Sequence, residues 1–99
     1  MKNFLLPVIF LAAPLSVQAD DALLKKHNCV ACHQVQAKVV GPSYKMVADK
    51  YRGQIMTDKL AAKIRAGGTG VWGQIPMPPN PQVTEADAKA LAKYILEIK

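Results

Sequence analysis

The chain has 99 residues, 51 % of them apolar, and a formal charge of +6 from 13 basic and 7 acidic side chains. The lysines are scattered with no dense basic run, unlike a nucleic-acid patch, and two cysteines are too few for a disulfide framework. A domain this small buries only about 60 % of its unfolded surface, so it needs a staple such as a disulfide, a metal or a large cofactor.

In chain order, the first stretch is MKNFLLPVIFLAAPLSVQA. Lys2 supplies a positive start, Phe4 to Ala13 is apolar apart from Pro7, and Val17-Gln18-Ala19 places small residues at a cleavage site. This layout predicts a secretory signal peptide over residues 1–19, cut between Ala19 and Asp20. The apolar run is shorter than the roughly 18 to 20 residues needed to span a bilayer. The mature domain is then 20–99, with twelve basic and seven acidic residues and a charge of +5 once Lys2 is gone. Its dispersed lysines suit either plain solvation or the steering of an acidic protein partner.

The mature part reads as all-α. Asp20 and Asp21 start a first helix that runs into Asn28, with lysines near its end to suit the helix dipole. Gln34 to Ser43 is loop, punctuated by Gly41-Pro42. Tyr44 to Tyr51 is a short amphipathic helix ended by Gly53. Thr57 is expected to cap a third helix, TDKLAAKIRA, with Leu60, Ala61 and Ile64 on one face and Gly67-Gly68 as its stop. A proline-rich loop covers Val71 to Gln82. Thr84 and Asp87 resemble a capping box for a last helix, whose inner face is Ala88, Leu91, Ala92, Ile95 and Ile98.

The chemistry centres on Cys29-Val30-Ala31-Cys32-His33, the attachment signature of c-type haem. Two cysteines one helical turn apart point the same way, so their sulfurs can add to two vinyl groups of one porphyrin. His33 then lies below the ring centre as an iron ligand. A bridge between Cys29 and Cys32 would close too short a loop to be the staple. A thioredoxin-like motif needs a βαβ setting, and zinc needs four ligands at other spacings. The glycines of GGTGVWG lack the Lys-Ser/Thr ending of a phosphate loop and read as a helix stop and turn.

For the other face of the iron the candidates are His27, Met46, Met56 and Met77. His27 is adjacent to the motif and reads as an exposed surface histidine. Met46 reads as a core-packing methionine and Met56 as peripheral. Met77 stands in IPMPPN, a loop stiffened by Pro76, Pro78 and Pro79 far along the chain. With the iron supplied by the Cys-x-x-Cys-His motif, Met77 is the expected second ligand.

NCVACHQ, VVGPSYKMVADKY, GGTGVWGQIPMPPN and ALAKYILEIK together resemble the small bacterial class I cytochromes c, the cytochrome c-551/c-552 subgroup, over essentially all of residues 20–99. The resemblance implies a small class I cytochrome c fold: about four short helices around one covalently bound haem c, with the N- and C-terminal helices packed together. It implies that the Pro42 carbonyl accepts a hydrogen bond from His33. It further implies that Trp72 donates to a haem propionate and that Asn80 hydrogen-bonds near the Met77 sulfur. Lys63 stands where many relatives carry arginine near a propionate, and lysine cannot make the same forked contact. Tyr94 stands where relatives often have tryptophan, packing the last helix on the first.

The function implied is a monomeric periplasmic electron carrier, not an enzyme. A haem with His33 and Met77 both bound has no vacancy for a substrate. The implied partners are a membrane cytochrome complex as donor and a nitrite reductase, terminal oxidase or peroxidase as acceptor. Two other readings stay open: a haem protein in which a small ligand displaces Met77 for binding or peroxidase-like chemistry, and a haem-free thiol–disulfide protein using Cys29 and Cys32.

Overall fold

The computed structural model describes residues 20–99 together with Asn3, Leu5 and Pro7. The predicted signal peptide therefore lies almost wholly outside the described residues. Among those described there are four α-helices, α1 Asp21–Lys26, α2 Tyr44–Lys50, α3 Thr57–Ala66 and α4 Glu85–Leu96, and no strand. Two isolated bridges are present among the described residues, His33 with Lys38 and Gly68 with Met77.

Each helix has a local cause. Asp20 accepts the Leu23 N–H at 3.1 Å and so caps α1. The helix stops two residues earlier than its pattern suggests, because Asn28 takes a left-handed φ of 59°, a conformation asparagine tolerates better than most residues. Ser43 caps α2 by accepting the Met46 N–H. In α3 the expected cap is displaced by one residue. Met56 holds the cap position without a side-chain bond, and Thr57 is already helical. Asp58 in the first turn supplies the favourable charge instead. Gly67, with φ 68°, ends α3 and returns its N–H to the Lys63 carbonyl. Thr84 caps α4 by accepting the Asp87 N–H, as expected.

The core lies where α4 crosses α2 and α3. Ala88, Leu91, Ala92 and Ile95 present the inner face of α4 to Val47 of α2 and to Ala61 and Ile64 of α3, with Leu24 of α1 and Val83 joining. Leu24, Leu91 and Val83 are essentially sealed from solvent, each worth roughly 1.5–3 kcal/mol in burial. Ile98 and Leu60, expected on these faces, pack at the margin.

The terminal helices are joined by polar contacts. The Tyr94 hydroxyl donates to Asp21 Oδ1 at 3.1 Å. His27, at the end of α1, meets Asp87 of α4 with Nε2 and Oδ2 2.9 Å apart. This corrects the expectation of an exposed histidine, since the His27 side chain is only 7 % exposed. It also explains why the capping box is half made: the Asp87 carboxylate holds His27.

Candidate haem site

A cavity of about 610 Å³ opens between the helices. Cys29, Cys32, His33, Pro42, Trp72, Met77 and Asn80 all line it, so the residues that the sequence points to as haem-binding share one cavity.

The proximal wall is built locally. After Asn28 the backbone tightens into a 3₁₀ turn over Cys29–Ala31. The N–H groups of Cys32 and His33 both turn back to the Cys29 carbonyl, at 3.2 and 3.0 Å. This sets the two cysteines one turn apart. Both are half-buried free thiols. Burial pushes the Cys29 thiol up, with its own backbone hydrogen bond opposing in part. A thiol–disulfide protein needs the opposite, an attacking cysteine held as thiolate.

His33 Nδ1 lies 2.8 Å from the Pro42 carbonyl oxygen. A carbonyl can only accept, so Nδ1 carries the hydrogen, and in the neutral ring the lone pair is then on Nε2. That is the tautomer a metal-binding imidazole needs, with orientation and basicity set by the outer hydrogen bond. Tyr44 packs beside it, ring centroids 5.7 Å apart and planes tilted by 31°. Tyr44 is buried, and its hydroxyl has no hydrogen-bond partner among the described residues. Burial first, then the nearby Cys29 and Asp21, pushes that phenol well above its usual range.

The distal wall comes from the loop after α3. Met77 is tied to Gly68 twice: its N–H donates to the Gly68 carbonyl at 2.8 Å, and the Gly68 N–H returns to Met77 at 3.0 Å. The loop presses against the helix end, where a Cβ on Gly67 would stand 2.8 Å from backbone atoms of Pro78 and Pro79. Asn80 fastens it further. Its side-chain amide donates to the carbonyls of Ile64, at 2.9 Å, and Pro78, at 3.3 Å, and its N–H donates to Arg65 at 3.0 Å. In these contacts Asn80 holds the loop backbone, not the Met77 sulfur. Three prolines and these ties leave Met77 half-buried at the cavity wall.

The remaining candidates also find places. Trp72 is half-buried, with the Lys50 ammonium 5.4 Å from its ring, close enough for a cation–π contact. Lys63 lines the cavity and lies over Gly68, whose added Cβ would meet Lys63 Cε at 3.1 Å. Two methionines differ from expectation. Met46 is 41 % exposed, because Tyr44, Val47 and Ala48 form the buried face of α2. Met56 is not peripheral but lines the cavity.

The donor set fits a c-type haem. Two free thiols one turn apart, an imidazole whose Nε2 is left to bind a metal and a fixed thioether share one cavity of suitable chemistry. Among the described residues no three His, Cys, Asp or Glu side chains are grouped to hold a bare metal ion.

Comparison with known proteins agrees. The profile of the cytochrome c family matches residues 21–99. Cytochrome c-552 of Nitrosomonas europaea is 59 % identical over 83 residues, covering 83 % of this chain and 81 % of that protein. Cytochrome c-551 of Azotobacter vinelandii is 54 % identical, covering 83 % of this chain and all of the relative. Cytochrome c-552 of Hydrogenobacter thermophilus is 50 % identical over the full length of both. The crystal structure of wild-type Nitrosomonas europaea cytochrome c552 superposes with a TM-score of 0.79 at 58 % identity, covering 81 % of this chain and all of the other. The chain therefore belongs to the cytochrome c family, with the small all-α class I fold, a covalently bound haem c and the work of an electron carrier, not an enzyme.

Proposed function

We propose that this is an exported, periplasmic one-electron carrier in which His33 and Met77 are the two axial ligands and Cys29 and Cys32 the points of covalent attachment. The observation that carries the reading is the convergence of the two walls. A His33 whose only free ring nitrogen is Nε2 and a Met77 fixed by paired backbone bonds line the same cavity.

Bound haem c supplies reversible one-electron exchange at its iron. The chain's own residues supply the rest. The Pro42 carbonyl holds the imidazole and raises its donor strength. A thioether is soft and neutral, so Met77 favours the ferrous state and raises the potential. A thioether is also a weak ligand for ferric iron, so the Gly68 bridge, Asn80 and the prolines must keep it in place after oxidation. Trp72 is assigned to a propionate through its indole N–H. With both ligands kept in both states, little rearranges during transfer.

Export follows from residues 1–19 acting as a cleaved signal peptide, so that the secreted protein starts at Asp20. Among the described residues no helix is long and apolar enough to cross a membrane. Partner docking is assigned to the rim carrying Val30 and Ile75, which are 45 % and 67 % exposed. The surrounding lysines steer an acidic redox partner. A membrane cytochrome complex would serve as donor, and a nitrite reductase, terminal oxidase or peroxidase as acceptor. Exchange rates indifferent to ionic strength would contradict this docking.

The test is the visible spectrum of the purified oxidised protein. The weak near-red band of methionine bound to ferric iron is expected in the wild type and lost in Met77→Ala. Persistence of the band in the variant would remove Met77 from the ligand set. Ready carbon monoxide binding by the reduced wild type at neutral pH would favour a displaceable ligand instead.

A further inference from the structure

His33 is bounded on more than its hydrogen-bonded side. A Cβ built on Gly41 would stand 2.7 Å from His33 Nδ1, 3.0 Å from Nε2 and closer still to Cε1. What it would meet is a ring, not the end of a flexible chain. Gly41 is not among the glycines with positive φ, so the backbone alone does not demand glycine there. The demand is steric and comes from His33. The loop cannot easily retreat, because the Gly41 N–H donates to the Cys32 carbonyl at 2.8 Å and the next residue, Pro42, holds His33 Nδ1 at 2.8 Å. The ring has little room to yield either, with the buried Tyr44 packed beside it.

We propose that Gly41 is a positioning residue for the axial histidine: its missing side chain sets the orientation of the His33 ring and lets Nδ1–H reach Pro42. The inference rests on the reading of His33 as an iron ligand. Its electronic consequence has a definite sign. A full hydrogen bond at Nδ1 makes Nε2 a stronger donor, and a stronger donor favours ferric iron. A methyl at position 41 pushes the ring off Pro42, weakens the donor and raises the reduction potential.

The experiment compares holoprotein variants Gly41→Ala and Gly53→Ala. Gly53 has a φ of 80°, and a Cβ there meets nothing within 4 Å, so its variant loses stability through strain alone. In Gly41→Ala, proton NMR of the reduced protein should show displaced His33 ring resonances. Its Nδ1–H should exchange about tenfold faster or more, as expected when one hydrogen bond is lost. The potential should rise. Gly53→Ala should leave all three unchanged. His33 signals and a potential identical to wild type in Gly41→Ala would overturn the inference. Should Gly41→Ala fail to accumulate, the wild type decides: a strong nuclear Overhauser effect between Gly41 Hα and His33 Hε1 supports the inference, and its absence overturns it. A separate outcome tests the underlying reading. If wild-type His33 ring protons lack the large upfield displacement of a haem ligand, the ligand assignment itself has failed.

Discussion

The two walls of the cavity hold their candidate ligands in different ways. His33 is held through its own side chain, by a carbonyl nine residues away, and the residues packed on its ring, Gly41 and Tyr44, come from the same short stretch of chain. Met77 has no such grip on its side chain among the described hydrogen bonds. Its backbone is tied to Gly68, and its loop to the carbonyl end of α3 through Asn80. The proposed proximal ligand is thus fixed by local chemistry and the proposed distal one by tertiary packing. A strong nitrogen donor needs mainly orientation, whereas a weak sulfur donor needs an anchored loop. The distal wall is therefore the half expected to give way first.

Four experiments test this contrast, in descending order of expected effect. His33→Ala should abolish accumulation of pigmented holoprotein, because it removes the proposed ligand beside both proposed attachment points. Met77→Ala should still give holoprotein, with a lowered potential. Equal yields of the two variants, measured by haem absorbance, would erase the asymmetry.

His27→Ala tests the polar clasp between α1 and α4. A buried hydrogen bond to a charged group is worth about 1.5–3 kcal/mol, so global unfolding should shift while the near-red band follows the fold as a whole. A cycle with Asp87→Ala isolates the pair. A coupling energy near zero would reduce the 2.9 Å contact to coincidence.

Asn80→Ala should cost about 0.5–1.5 kcal/mol, the net worth of a hydrogen bond, because its contact to Ile64 is part-buried and its contact to Pro78 exposed. It should also weaken the near-red band of the oxidised protein at denaturant concentrations where helical circular dichroism is intact. Coincident loss of both signals, as in the wild type, would mean that Asn80 does not anchor the distal wall.

The smallest effect concerns Asp49, which does not line the cavity. Hydrogen bonds from Lys45 and then Arg52 hold its carboxyl below the usual range. A depressed folded-state value means that its contribution to stability is full above the unfolded value of 3.8 and is lost as pH falls through the folded one. The group is fully exposed, so Asp49→Asn should flatten acid unfolding only slightly and leave neutral-pH stability nearly unchanged. A large loss at pH 7 would show that the pair does more than a surface ion pair can.

Local features were legible in the sequence, and long-range ones were not. The Cys-x-x-Cys-His turn, the Asp20 and Thr84 chemistry at two helix starts and the inner face of α4 all depend on residues a few positions apart. Met46 was open to a better reading, since the Tyr44, Val47 and Ala48 spacing of α2 already turns position 46 outward. His27 was not. Two lysines precede it, and its partner lies 60 residues away. Asp87 likewise read as the second half of a capping box, and only the fold shows that its carboxylate is engaged elsewhere. Gly41 read as turn punctuation, while its tightest neighbour proved to be an imidazole. The IPMPPN loop lay between these extremes. Its stiffness was plain from the prolines, and what it is fastened to emerged only from the contacts of Gly68 and Asn80.

The most direct measurement is iron K-edge X-ray absorption of the wild type in both oxidation states, with Met77→Ala as reference. The account predicts a sulfur scatterer at bonding distance in oxidised and reduced wild type and none in the variant. Absence of iron–sulfur scattering in the oxidised wild type would contradict the claim that the two walls converge on one iron.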